Sequence, residues 1–285
     1  MKKIIQITLL ALLLPCLAMA QDYMNTARQP EVPVTKWKGK KILFIGAHPD
    51  DDQGSQGTLA MLKDHGNEVW VLIMTTGNVG TKDPKMSRDH LARIRRMEEL
   101  NALKAIGVPA DHYINLGYDD GRLQYSDREE TVKRLVYYIR KIHPDVLFAF
   151  DPGHGYQRWH KADHRRASYL AADAARAAEW PLLFQGQIIQ EGLKAWEIPS
   201  YMFYDSKSED VNTWVDISGY VDQKVNAATQ YVSQNSSSFF HYTPNVPKNE
   251  EAKIIERIRS HIHYKNGKPV EQFRFYHGIP DGIGK

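Results

Sequence analysis

Short apolar runs alternate with longer amphipathic stretches along most of this chain. The runs are bounded by turn residues, which is typical of buried strands, and they lie at 41–46, 69–74, 112–116 and 146–150. Between them, apolar residues recur every three or four positions. This spacing predicts helices at 55–65, 87–106, 127–142 and 162–178. The alternation predicts an α/β fold, a Rossmann-like parallel sheet with helices on both faces.

The pattern is less regular beyond residue 180. It predicts one more strand at 201–204 and helices near 220–233 and 250–263. We therefore expect a single α/β domain over 41–285, in which 181–285 form a C-terminal extension. Residues 21–40 read as a polar leader before the domain.

Residues 1–20 have the pattern of an export signal. Two lysines precede an almost wholly apolar run at 4–14, and Ala-Met-Ala at 18–20 forms a cleavage motif. The run is shorter than the roughly 20 residues that a spanning helix needs, which disfavours a retained anchor. Lipidation of Cys16 is disfavoured because Pro15 stands where a small residue is needed. We expect cleavage after Ala20 and a periplasmic or secreted protein.

Composition narrows the classes of partner and cofactor. Among 285 residues, 37 Lys and Arg face 34 Asp and Glu, a near-balance that gives no electrostatic reason to expect nucleic acid. The chain has one cysteine, so any metal must be bound by histidines and carboxylates. No later stretch is long and apolar enough to predict stable membrane insertion after cleavage.

A histidine and three acids follow the first predicted strand, where the segment 47–52 reads AHPDDD. Adjacent carboxylates repel one another, so a folded protein keeps them together where a cation or solvent neutralises them. A solvated acidic loop is the alternative interpretation. The position favours a metal site, because ligands bind at the carboxyl ends of parallel strands.

A second cluster follows the fourth predicted strand and contains His154, His160 and His164. Parallel strands end at the same edge of a sheet, so the two clusters can meet there. His48, one neighbouring acid and a histidine of the second cluster would form a two-histidine, one-carboxylate metal site. Such a site suits hydrolysis, with a second carboxylate as general base. Spacing alone leaves open which acid has which role.

Segment 47–52 resembles the AHPDDE signature of the PIG-L/LmbE-like de-N-acetylases. Further similar segments follow in the same order: 75–80 (TTGNVG), Arg95 and Glu98 before 106–108 (IGV), 116–121 (LGYDDG), 144–146 (PDV), 163–165 (DHR) and 271–274 (EQFR). The resemblance covers about 41–178 closely and the rest more loosely. It implies a zinc enzyme that removes acetyl groups from N-acetylglucosamine-type substrates.

The resemblance also implies a role for individual residues. It implies His48, Asp51 and His164 as ligands of Zn²⁺, or of another divalent ion such as Fe²⁺, and Asp50 as general base. Arg95 and Asp120 would hold sugar hydroxyls. In the alternative interpretation, Arg95 pairs with Glu98 or Glu99 on the helix surface and Asp120 only begins a turn.

The chain departs from the family pattern in two places. Asp52 replaces a glutamate, and we expect it mainly to cap the following helix. Relatives commonly have a catalytic histidine three residues before the last ligand, whereas here His160 lies four before His164. We expect His160 to stabilise the oxyanion, with Tyr156 or His154 as alternative donors.

Taken together, these features predict an exported hydrolase that converts N-acetylated amino sugars or glycans to acetate and a free amine. One alternative keeps the metal site but cleaves an acetyl ester or another small amide. Another is a catalytically silent glycan-binding protein. The sugar, its linkage and the oligomeric state stay open.

Overall fold

Five parallel strands form the part of the sheet that alternates with helices. The computed structural model describes residues 28–153, 161–278 and 280. The parallel strands are β1 (Lys41–Gly46), β2 (Glu68–Thr75), β3 (Tyr113–Tyr118), β4 (Val146–Phe150) and β5 (Ser200–Tyr204). Their order across the sheet is β3-β2-β1-β4-β5. The predicted α/β class and these five strands are confirmed, with bounds that shift by a few residues at most.

Three C-terminal strands make the sheet mixed rather than parallel. They are β6 (Thr213–Asp216), β7 (His263–Lys265) and β8 (Lys268–His277). β8 runs antiparallel to β5, and both β6 and β7 pair antiparallel with β8. The pattern of apolar residues did not predict these strands, because they are short or interrupted by charged residues and pair with distant parts of the chain.

Seven helices lie within the described residues. They are α1 (Gln56–Asp64), α2 (Arg88–Ala105), α3 (Arg128–Ile142), α4 (Ala162–Ala178), α5 (Gly186–Ile189), α6 (Val221–Thr229) and α7 (Lys248–Ser260). α3 packs against α4, while α6 packs against α1, α2 and α7. Side chains of β1 on both sides of the sheet are buried, so helices cover both faces. None of these helices combines the length and apolar character needed to cross a membrane.

Successive strands are added first on one side of β1 and then on the other side. From β1 the chain proceeds outward to β2 and β3, and it then returns to β4 on the other side of β1. In open α/β sheets, such a switch point leaves a crevice at the carboxyl ends of the two strands. The turn after β1 carries His48 and Asp51, and His164 lies in the first turn of the helix that follows β4, so the described ends of both segments meet at this crevice.

Candidate active site

The turn after β1 gives two adjacent carboxylates different partners. Oδ2 of Asp51 accepts hydrogen bonds from the backbone N–H groups of Ala47 and His48, each at 2.7 Å. Asp50 has a φ of 118°, in the left-handed region that non-glycine residues rarely adopt. Its carboxylate reaches Arg95 at 3.0 Å instead. The two acids therefore have separate surroundings, which sequence spacing could not show.

Asp51 and two histidines converge on one point at the end of the sheet. Nδ1 of His48 lies 3.1 Å from Nε2 of His164, which lies 3.3 Å from Oδ1 of Asp51. Nδ1 of His48 lies 3.7 Å from Oδ2 of Asp51. Burial raises the pKa of Asp51, but His164 and His48 outweigh burial and hold that pKa well below its usual value. Asp51 is therefore ionised, as a metal ligand must be.

These three side chains fit a divalent ion. Bonds of about 2.0–2.1 Å in a tetrahedral arrangement put neighbouring ligand atoms about 3.3–3.4 Å apart. The distances from Nε2 of His164 to Nδ1 of His48, 3.1 Å, and to Oδ1 of Asp51, 3.3 Å, are close to that value. The three residues that the resemblance implied as ligands are thus brought together.

The other ring nitrogen of His48 faces two carboxylates. Its Nε2 lies 3.1 Å from Oδ1 of Asp120 and 3.5 Å from Oδ2 of Asp163. Burial lowers the pKa of His48, but Asp120, Asp163 and Asp51 outweigh burial and raise that pKa well above its usual value. With Nε2–H bonded to a carboxylate, a divalent ion can replace the proton on Nδ1, and such carboxylates are common around metal-ligating histidines.

Asp163 belongs to the site although the sequence analysis gave it no role. Its two carboxylate oxygens accept the backbone N–H groups of Gly121 at 2.6 Å and Leu123 at 3.1 Å. His48, Asp120 and Asp163 lie close enough to hold a second ion. The backbone hydrogen bonds to Asp163 favour a supporting role instead. Its position directly before His164 was the only signal in the sequence.

Arg95 is buried under the turn at 47–52, which we call the catalytic turn because it carries the candidate base Asp50. Its side chain is 3% exposed, and it donates to the carbonyl oxygens of Pro49 and Gly77 as well as contacting Asp50. A Cβ on Gly77 or Gly80 would clash with its guanidinium, which explains both glycines. Burial raises the pKa of Asp50, Arg95 opposes this, and the net pKa is raised. That Arg95 also binds sugar hydroxyls stays a prediction.

Asp52 does not cap α1, contrary to expectation. Its carboxylate accepts hydrogen bonds from the side chains of Gln56 at 2.9 Å and Tyr231 at 2.7 Å. The same phenol lies 3.1 Å from Oε2 of Glu99. Burial raises the pKa of Asp52 to about 6. Asp52 therefore joins a buried polar network behind the catalytic turn.

Glu98 and Glu99 are buried rather than on the helix surface. Glu98 accepts the backbone N–H and the hydroxyl of Ser233, at 2.6 and 2.7 Å. Glu99 contacts Tyr231. The alternative in which Arg95 pairs with these glutamates on the surface is therefore wrong.

The carboxylate that caps α1 comes from the far end of the chain. Glu271, in β8, accepts the backbone N–H groups of Gly57 at 2.9 Å and Thr58 at 2.7 Å. It also pairs with Lys224 of α6 at 2.7 Å. The C-terminal segment of the family resemblance thus supports the helix that follows the catalytic turn.

A cleft of about 480 Å³ opens beside the ligand set. Asp51 and His164 line one side of it, with Phe150 and Tyr204 next to them. The ring of Phe150 stacks on His164, with ring centres 4.4 Å apart. The predicted oxyanion donors His160, Tyr156 and His154 lie outside the described residues.

Known deacetylases are similar to this chain in sequence. A model of the PIG-L family, GlcNAc-PI de-N-acetylase, matches residues 43–175, which include every implied ligand. Diacetylchitobiose deacetylase of Thermococcus kodakarensis is 34% identical, over 68% of this chain and 70% of that protein. A 1D-myo-inositol 2-acetamido-2-deoxy-alpha-D-glucopyranoside deacetylase of Kineococcus radiotolerans is 26% identical, over 85% and 79%.

A solved structure of a deacetylase is also similar to this chain. N,N'-diacetylchitobiose deacetylase from Pyrococcus horikoshii matches 86% of each chain, with a TM-score of 0.72 and 30% identity. Identity at this level over most of both chains shows more than a shared fold. This chain belongs to the PIG-L family of de-N-acetylases.

Proposed function

We propose that this chain is a metal-dependent hydrolase that removes acetyl groups from N-acetylglucosamine-type amino sugars, giving acetate and a free amine. The observation that carries this proposal is the placement of Asp50 beside the His48–Asp51–His164 set but outside it. Similar proteins named as deacetylases of N-acetylated amino sugars support it.

The ligand set suits Zn²⁺, and Fe²⁺ would accept the same donors. A bound divalent ion would supply Lewis acidity toward the acetamide carbonyl. His48, Asp51 and His164 would hold it, and Asp120 and Asp163 would hold His48 in the required tautomer.

The protein's own acid–base chemistry centres on Asp50. Its carboxylate accepts a proton from the water that attacks the acetamide carbonyl, and a raised pKa makes it a better base near neutral pH. The C–N bond breaks as that proton passes to the departing amine nitrogen. Arg95 orients that carboxylate. We keep Arg95 and Asp120 as proposed contacts for sugar hydroxyls, and His160 or Tyr156 as proposed oxyanion donors.

Acetate release tests the proposal directly. The purified protein, stripped of metal and reloaded with Zn²⁺, should release acetate from N-acetylglucosamine or N,N'-diacetylchitobiose. Asp50→Asn should lose about 10²-fold or more of this rate. Asp111→Asn, an exposed aspartate remote from the site, should not.

Three results would contradict this function. Asp50→Asn could retain full activity, or only acetyl esters could be cleaved, which would establish the esterase alternative. Metal binding without release from any N-acetylated sugar or oligosaccharide would favour a silent glycan-binding protein.

We also propose that the enzyme acts in the periplasm or outside the cell. The pattern of residues 1–20 supports this, since two lysines precede an apolar run that ends near an Ala-Met-Ala cleavage motif. Fractionation of expressing cells should recover a protein whose first residue is Gln21. A cytosolic protein that retains residues 1–20 would contradict it.

A further inference from the structure

The cleft beside the ligand set is larger than an acetyl group requires. Its volume of about 480 Å³ lies within the range of roughly 300–1,000 Å³ that is typical of sites for whole small molecules. Apart from Glu271, the buried side chains of its lining are apolar, namely Phe150, Tyr204, Ile262 and Val270. Polar side chains such as Asp205 and His263 lie exposed at its mouth. The inner cleft therefore suits an aliphatic group.

Gly54 also lines this cleft, and the backbone does not require glycine there. Its φ lies outside the left-handed region, and a Cβ built on it would have no heavy atom within 4 Å beyond its chain neighbours. Gly77 and Gly80 differ, because a Cβ on either would clash with Arg95. A side chain at position 54 would occupy free space at the cleft, so glycine keeps that space open.

The proposed sugar contact at Asp120 places the acyl side of the substrate toward the cleft. Asp120 contacts Nε2 of His48, whereas Asp51 and His164 lie near Nδ1, on another edge of the ring. The nitrogen and the acyl carbon of an amide extend from the carbonyl carbon in different directions. A sugar near Asp120 therefore directs the acyl carbon toward Asp51 and His164, whose side chains line the cleft.

The charges of the inner cleft favour an uncharged acyl group. Lys224 and Glu271 both line it, and they pair with each other at 2.7 Å. Glu271 also accepts two backbone N–H groups at the start of α1. The two charges thus compensate each other, and a charged acyl group beside Phe150 and Tyr204 would lose its hydration without gaining a partner.

We propose that this cleft binds uncharged aliphatic N-acyl groups longer than acetyl, such as propionyl and butyryl, and that Gly54 gives the chain its space. The inference rests on the proposed hydrolase function and concerns the acyl side of the same site. Water adds to the acyl carbon, the C–N bond breaks and a proton passes to the amine nitrogen. The products are a carboxylate of the same chain length and a free amino sugar.

Glucosamines that carry N-acetyl, N-propionyl and N-butyryl groups test this specificity. Release of glucosamine by the purified protein, reloaded with Zn²⁺, gives kcat/KM for each. We expect kcat/KM for the butyryl sugar to equal that for the acetyl sugar or to exceed it by up to about tenfold, because buried CH₂ groups strengthen binding. Calorimetric titration of Asp50→Asn with the same sugars should give the same order of affinity.

Gly54→Leu should lower the ratio of butyryl to acetyl kcat/KM at least about tenfold, because the leucine takes the space of the acyl chain. The ratio compares two substrates on one protein, so a general loss of activity does not change it. Gly219→Leu is the matched control, since Gly219 is another exposed glycine with an ordinary φ and free space, and it lies outside the lining of the cleft. It should keep the wild-type ratio.

A kcat/KM that falls as the acyl chain lengthens would overturn this inference but leave the deacetylase function intact. Equal ratios for Gly54→Leu, Gly219→Leu and the wild type would also overturn it. If Gly54→Leu instead lowered activity on N,N'-diacetylchitobiose relative to N-acetylglucosamine, the cleft would bind a second sugar and the inference would be wrong. Release of glucosamine from none of the three sugars would overturn the proposed function and this inference together.

Discussion

At the scale of single residues, the tautomer of His48 depends on carboxylates that do not face the ligand set. Asp120 and Asp163 both contact Nε2, which leaves Nδ1 toward Asp51 and His164. Such supporting carboxylates increase the basicity of a ligating imidazole and orient its ring. Metal affinity should therefore respond to residues that never touch the metal.

Asp163→Asn should weaken metal binding about 10-fold to 100-fold, because a neutral amide is a poorer acceptor for Nε2–H. Competition with a chromophoric chelator measures this affinity without relying on activity. Asp173→Asn, an exposed position on the same helix, is the control. Equal affinities for the two variants would show that Asp163 has only a structural role.

A second residue-scale effect concerns the proton on Glu99. Burial raises the pKa of Glu99 well above its usual 4.5, and the charges of Asp52 and Asp50 add to this. The phenol of Tyr231 has one proton and lies closer to Asp52. Its longer hydrogen bond to Glu99 lowers the pKa of that carboxyl but does not outweigh burial.

The free energy of unfolding of Glu99→Gln should exceed that of the wild type by an amount that grows as pH rises. In the wild type, the folded state keeps a proton that the unfolded state loses above pH 4.5, so stability falls by up to about 1.4 kcal/mol per pH unit. This loss continues until the raised pKa of the folded state is passed. Chemical denaturation at pH 5 and pH 8 measures the difference. If the exposed-site variant Glu129→Gln showed the same pH dependence, the assignment to Glu99 would fail.

At the scale of elements, β8 stabilises the beginning of α1. A helix N-terminus has free N–H groups and a partial positive charge, and Glu271 supplies acceptors and negative charge to both. The same carboxylate compensates Lys224, whose side chain is mostly buried. The C-terminal strands thus stabilise the helix next to the catalytic turn.

Glu271→Gln should reduce the free energy of unfolding by about 3 kcal/mol, because it leaves the Lys224 ammonium buried without a carboxylate. Adding Lys224→Met should recover part of that loss, which urea denaturation would show. Asp216→Asn removes the partner of the exposed Lys268 and should cost far less, because water solvates that ammonium. A similar cost for both single variants would contradict the argument.

At the scale of the whole molecule, a metal ion held by His48, Asp51 and His164 would join the turn after β1 to the first turn of α4. A ligand that binds only the folded state, present at 100 times its dissociation constant, adds about 2.7 kcal/mol to stability. For a chain of this size, that corresponds to roughly 5–10 °C in the thermal midpoint. Metal removal should therefore be visible in the unfolding of the entire domain.

Treatment with a chelator should lower the midpoint by this amount, and Zn²⁺ should restore it. The shift should vanish in His164→Ala and persist in His90→Ala, where an exposed histidine of α2 is removed. A wild-type midpoint that does not respond to the chelator would argue against a metal at His48, Asp51 and His164.

The sequence by itself determined the features that depend on local spacing. Apolar runs and helical periodicity predicted the five parallel strands and most helices, because burial imposes those periods on neighbouring residues. Parallel strands end at one edge, so the clusters at 47–52 and 151–165 were expected to meet. The family motifs then implied His48, Asp51 and His164 as ligands and Asp50 as base, and the structure brings the three implied ligands together.

Only the tertiary structure decided which distant groups meet. Tyr231 reaches Asp52 across 179 positions, and Glu271 reaches Gly57 across 214. The supporting role of Asp163, the burial of Arg95 and the antiparallel C-terminal strands likewise follow from packing between elements. These hydrogen bonds and ion pairs join residues that are far apart in the sequence, so no local periodicity predicts them.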